Sequence, residues 1–175
     1  MPLFPRACVH AIRSAPWSTI YFAYGSNLRS VQMVRLCPGH VFLGPARLDG
    51  YRLAFTQPDE EWQGGVADVI PSPGNAVWGA LYRLRDTDLM ALDAYEVFSP
   101  AGPEEANDYV RRLVEVTLAK EGREVEAWCY FVRAPRRHVA PSERYREALI
   151  EGAIERGLPA DYVATMRRAF EGAGK

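Results

Sequence analysis

Thr19-Ile20-Tyr21-Phe22-Ala23-Tyr24-Gly25-Ser26-Asn27-Leu28 is the stretch on which the fold turns. Its first half is β-branched and aromatic, the composition of a packed strand, and Tyr24-Gly25-Ser26-Asn27 then interrupts it with turn residues. Asn27 stands where a helix N-cap would sit, before Leu28 to Leu36, with Val31, Val34 and Leu36 as part of an apolar face. Pro38-Gly39 ends that run, so the unit reads strand, loop, helix. Glycine in the loop lets backbone approach a ligand, and unpaired N–H groups at a helix start favour an anion such as a carboxylate. Taken alone, Gly25-Ser26-Asn27 is weak evidence for such a site, since most such tripeptides are ordinary turns. The loop lacks the Gly-x-x-x-x-Gly-Lys spacing of a nucleotide cradle, and Ser26 lacks the Gly-x-Ser-x-Gly setting of a nucleophile.

Further strands are predicted at 41–48, 51–56, 65–70, 77–85, 110–119 and 125–132, separated by Gly, Pro, Asp and Asn. Short strands at that spacing suggest a barrel. In the last of them Val125, Ala127, Cys129 and Phe131 alternate with Glu126, Trp128 and Tyr130. The C-terminal part is helical: Ser142 caps a helix carrying Tyr145, Leu149 and Gly152, and Gly157 stops it. Pro159 opens another, whose Tyr162, Met166 and Phe170 form a core-packing stripe. The organisation expected is an N-terminal extension over 1–17, flexible, one mixed α+β domain over 18–171, and a short tail over 172–175.

Among 175 residues, 21 Lys and Arg face 22 Asp and Glu, so no single-signed field is available to hold nucleic acid or an anionic membrane. No apolar run reaches the roughly 20 residues of a membrane span. Cys8, Cys37 and Cys129 are odd in number and form no Cys-x-x-Cys pair, which fits a reducing, cytoplasmic setting. Cys129 reads as a small buried hydrophobe and Cys37 as a helix end. His10, His40 and His138 have no metal-ligand or triad spacing, and Arg136-Arg137-His138 and Arg167-Arg168 read as solvated faces. No metal is expected.

The segment with most chemical information runs from Thr87 to Glu96, a predicted helix with Asp86 as N-cap and Leu89 and Leu92 on its buried face. Glu96 lies seven residues after Leu89 and four after Leu92, so its carboxylate shares that inward face. An inward acid either pairs with a base at the core rim or, desolvated, has its pKa raised from about 4.3 towards neutrality and serves as a proton acceptor. Residue pattern alone leaves the two readings about even. Asp93, nearer the helix end, reads as structural, with an arginine partner as the common explanation.

Tyr21 to Leu28 resembles the opening signature of the γ-glutamylcyclotransferase family. Gly64-Gly65-Val66-Ala67, Ser72-Pro73-Gly74, Val77-Trp78-Gly79, Leu92-Asp93-Ala94-Tyr95-Glu96 and the Gly157-Leu158-Pro159 tail resemble later landmarks in the same order. The resemblance implies a small, partly closed β-barrel with flanking helices and an internal cavity. It implies that Glu96 is the catalytic acid/base, that Tyr24, Gly25, Ser26, Asn27 and Leu28 hold the γ-glutamyl group, and that Tyr109 and Tyr145 are pocket tyrosines. The activity implied is formation of 5-oxoproline from a small γ-glutamyl substrate by attack of its own α-amine, with no metal or organic cofactor. A homodimer is implied only by analogy. A γ-glutamyl hydrolase or transferase, or a non-catalytic γ-glutamyl-binding module, are the competing readings. The chain departs from the family pattern at Val97, where Gly is common. Its 98–108 loop is also longer, and Glu104 and Glu105 there are expected to favour a cationic leaving group.

Overall fold

The computed structural model describes residues 19–172. The readings placed on residues 1–17, with Cys8 and His10, therefore lie outside the described residues.

The chain begins with β1 (Thr19–Ala23), a 3-10 turn (Ser26–Leu28) and α1 (Ser30–Leu36), then forms β2 (Val41–Asp59) and β3 (Gly64–Leu84). It continues through α2 (Asp86–Tyr95), a second 3-10 turn (Glu104–Ala106), β4 (Tyr109–Leu118) and β5 (Arg123–Val132), and ends in α3 (Glu143–Glu155) and α4 (Ala160–Gly172). The strands close into a barrel in the order β1-β3-β2-β4-β5. Neighbours are antiparallel except at the closing seam, where β1 and β5 run parallel through the single pair Tyr21 and Trp128. This is the mixed α+β barrel expected from the sequence.

β1 is buried at Tyr21, Phe22 and Ala23 on both faces, because one face fills the barrel and the other is covered. Alternation in β5 holds as far as Cys129, after which Tyr130, Phe131 and Val132 are all buried.

The four strands expected between residues 41 and 85 are two long ones. Gly50 and the Ser72-Pro73-Gly74-Asn75 segment carry the local signals of chain breaks, but the β2–β3 ladder runs past them, with register shifts at Phe42/Gly44, Asp49/Tyr51 and Phe55/Gln57. Bulges absorb the turn residues without ending the pairing.

α1 starts two residues later than the Asn27 cap would require: its N-cap is Arg29, and Asn27 belongs to the preceding 3-10 turn. Its inward residue is Met33, while Val31 and Val34 are exposed. α2 begins at Asp86 with Arg85, not Asp86, as N-cap, and the Asp88 carboxylate accepts the Arg85 N–H at 3.3 Å. In α3, Ser142 Oγ accepts the Tyr145 N–H at 3.2 Å as expected, and left-handed Gly157 (φ 66°) follows the helix. Met166 and Phe170 of α4 join the core, with Tyr162 packed against it.

Val97, immediately after Glu96, has φ 50°. A β-branched residue there is strained by about 1–2 kcal/mol. Hydrogen bonds on both sides hold it: its N–H donates to Ala94 O at 3.3 Å and its C=O accepts from Asp108 N at 3.1 Å. Since Val97 is 49% exposed, Val97→Gly gives up little burial. After roughly 0.5–1 kcal/mol of added chain entropy is subtracted, a gain of up to about 1 kcal/mol is expected, a Tm rise of about 2–4 °C by calorimetry.

Candidate active site

A cavity of about 380 Å³ opens at one end of the barrel. One wall is the Tyr24–Asn27 loop, another the β2–β3 hairpin end with Asp59, Trp62 and Ala67, and a third the end of α2 with Glu96. β4 and β5 contribute Tyr109 and Tyr130, and α3 contributes Tyr145.

The loop is fixed from behind. Tyr82 Oη donates to Asn27 O at 3.1 Å and Arg156 Nε to Leu28 O at 2.9 Å. Leu28 itself is buried at 1% exposure and is not among the cavity-lining residues; it packs against α3, where a Cβ on Gly152 would stand 2.7 Å from Leu28 Cβ. Gly25 sits close to the cavity wall: a Cβ there would lie 3.3 Å from Ala67 Cβ and 3.4 Å from Tyr145 Oη, so these neighbours would have to give by a few tenths of an ångström.

Asn27 is the link between loop and acid. Its Nδ2 donates to Glu96 Oε1 at 3.0 Å and to Tyr21 Oη at 2.9 Å, which is why its side chain does not cap α1. Its Oδ1 is buried without a partner among the described residues. Glu96 is the C-cap of α2 and partly accessible, because it faces the cavity while protein surrounds its other sides. No arginine or lysine pairs with it among the described residues. Burial pushes its carboxyl up to about 7, against the opposing pull of the Asn27 amide, and the negative charges of Asp59 and Asp93 push the same way. A group balanced there can take a proton and return it near neutral pH.

Asp93, by contrast, is salt-bridged to Arg111, as the sequence suggested. Arg111 is thus committed to Asp93, and no arginine pairs with Glu96 among the described residues.

The phenols around Glu96 are held in place. Tyr109 Oη donates to Ala67 O at 3.1 Å, Tyr24 Oη to Tyr130 O at 2.7 Å, and Tyr145 Oη accepts from Ala67 N at 3.0 Å. Burial raises the pKa of Tyr21, Tyr24, Tyr109 and Tyr145, so all remain protonated. Tyr21 and Tyr145 each accept one hydrogen bond, leaving their own protons free for a ligand oxygen. The thiols are unsuited to attack: burial pushes Cys37 up to about 12 and Cys129 far above the ordinary thiol range. Among the described residues there is no cluster of three His, Cys, Asp or Glu able to hold a metal ion.

The residue pattern missed Tyr21, Trp62, Tyr95 and Asp59. Tyr21 lies in β1, where its strand pattern gives no sign that its hydroxyl reaches the cavity. Glu104 and Glu105 are exposed and do not line the cavity, whose acids other than Glu96 are Asp59, Glu61 and Asp108.

The profile of the family described as "Gamma-glutamyl cyclotransferase, AIG2-like" matches residues 21–147. The chain belongs to this family. Among its γ-glutamyl cyclotransferase relatives, a bovine protein named gamma-glutamylcyclotransferase is 35% identical over 150 residues, covering 83% of this chain and 75% of the relative. The human protein of the same name is 33% identical over 150 residues, covering 83% and 75%. A solved structure described as a gamma-glutamyl cyclotransferase superposes with a TM-score of 0.77 at 29% identity, over 85% of this chain and 86% of that one.

Proposed function

We propose that the protein converts a γ-glutamyl amino acid or amine to 5-oxoproline and the free amine, with Glu96 as general acid/base. Its relatives carry the name of this activity. The observation that carries the mechanistic reading is an unpaired carboxyl raised to about 7 inside a cavity, tied by Asn27 to the Gly25–Asn27 loop.

The substrate's α-amine attacks its own γ-carbonyl, closing a five-membered ring. No nucleophile from the protein is required. Intramolecular attack is worth effective molarities of about 10⁵ to 10⁸ M once the chain is folded correctly, so the cavity's first task is to hold that conformer. Glu96 accepts the proton of the α-ammonium and delivers one to the departing nitrogen. Backbone N–H groups of the loop, with the free phenolic protons of Tyr21 and Tyr145, stabilise the substrate carboxylate or the oxyanion that develops at the carbonyl.

Incubation with γ-glutamyl dipeptides, γ-glutamyl amines and glutathione should yield 5-oxoproline, and glutamate as sole product would replace this reading with hydrolysis. Because the base acts ionised, kcat/KM should rise with pH through about 7. Asn27 stabilises the ionised form, so Asn27→Ala should move that limb to higher pH. The substrate ammonium titrates alike with both proteins, and the displacement between the two profiles therefore belongs to Glu96.

A further inference from the structure

A second cavity of about 380 Å³ lies where β2, the segment before α3 and the end of α4 meet. The solvent-exposed Arg52, Arg136, Arg137 and His138 line it, with the buried Phe55 and Phe170, and no carboxylate lines it among the described residues. None of the three arginines has a salt bridge or a side-chain hydrogen bond among the described residues. The nearby buried acid, Asp68, is occupied elsewhere: it accepts from Thr56 Oγ1 at 2.7 Å and from the Val69 and Val132 N–H groups at 2.8 and 3.1 Å.

The basic segment is anchored on both sides. Arg136 N–H donates to Thr56 O at 3.1 Å and Val139 N–H to Phe55 O at 2.9 Å, while Ala140 O accepts from Gly65 N at 3.0 Å. Residues 136–140 are thus laid against β2 and the start of β3, which presents the guanidinium groups from a fixed backbone. An apolar floor lies between them: the Phe55 ring is 5.7 Å from Phe170 and 6.2 Å, edge-on, from His138.

Like charges brought together without acids repel, and guanidinium forks match phosphate and carboxylate oxygens two at a time. The cavity has the size of a small-molecule site, and the chain's net charge of -1 provides no basic track for a longer polymer. We infer that this cavity is a second binding site, for a small polyanion of the phosphate or carboxylate class, held by Arg52, Arg136 and Arg137. Phe55 also contacts Tyr145, ring centroids 6.4 Å apart, so the two cavities share a wall.

Titration calorimetry on the full chain at low salt, with inorganic pyrophosphate and separately with citrate, tests this without reference to turnover. Saturable binding is expected with Kd below about 1 mM for at least one probe, and which of them binds separates the two chemistries. Affinity should fall about tenfold or more in Arg52→Ala and in Arg136→Ala/Arg137→Ala, with an intermediate loss in the corresponding Lys variants, which keep the charge without the fork. Arg167→Ala, outside this cavity, should bind as wild type. Circular dichroism checks that the variants are folded. No saturable heat with either probe up to about 10 mM, or equal affinity in folded Ala variants, overturns the assignment.

Discussion

Glu96→Gln is expected to lower kcat by about 10³-fold while KM changes little. Glutamine keeps the shape and an oxygen that can accept from Asn27 Nδ2, so the loop stays in register and the substrate still binds. What is lost, on the proposed mechanism, is the proton acceptor. A variant turning over at near-normal rates would remove Glu96 from the mechanism. The same substitution has a second, opposite effect on stability. Glu96 has a folded pKa of about 7, above its ordinary value of 4.5, so the native state holds this proton more tightly than the unfolded chain does. Its contribution therefore falls as pH rises from about 4.5 to about 7 and stays unfavourable above. Glu96→Gln should accordingly melt higher than wild type at pH 8 and lose that advantage at pH 4, a comparison that scanning calorimetry makes directly.

The largest loss of stability is expected from Asp93→Ala. Asp93 receives Arg111 Nη1 on both oxygens, at 3.0 and 2.9 Å, and Tyr130 Oη at 2.6 Å. Both charged side chains are only 13% exposed. Truncating the acid leaves Arg111 beneath Trp128 and Phe98 without a counter-charge, at a cost of about 3 kcal/mol or a Tm loss of about 6–12 °C. Adding Arg111→Met should recover much of that loss, because the uncompensated charge goes too. A double variant as unstable as Asp93→Ala would show that packing, not charge, is what Asp93 supplies. The negative charge of Asp93 also raises Glu96, so Asp93→Ala should shift the activity limb to lower pH, opposite to Asn27→Ala.

The barrel was legible because its strands carry β-branched and aromatic residues between clear turn signals. Its strand boundaries were less so: Gly50 and Pro73-Gly74 obey the local rules for chain breaks, and only the pairing of β2 with β3 along their whole length overrides them. Helical periodicity put Glu96 inward, and the structure agrees, but periodicity carries no information about partners. That Arg111 pairs with Asp93 depends on β4 packing beside α2, a contact between segments distant in sequence. Asn27 failed as a cap for a related reason. Its local preference for a helix start lost to a hydrogen bond with Glu96, 69 positions away. The tyrosines were half visible: Tyr109 and Tyr145 came from family resemblance, whereas Tyr21, in a strand, gave no local sign that its hydroxyl reaches a cavity. The basic segment 136–138 is solvent-exposed, as expected of a solvated face; what the sequence does not show is that its backbone lies along β2.

The seam of the barrel bears on how the enzyme breathes. A ladder of one pair is the cheapest place for a closed sheet to part, and one of its two residues, Tyr21, lines the cavity. Transient parting there would admit solvent beneath Glu96 and return its acidity towards that of a free side chain. Amide hydrogen exchange at Tyr21 and Trp128 would then report the hydration of the Glu96 carboxyl, and tightening this joint should keep that carboxyl desolvated as well as toughen the protein.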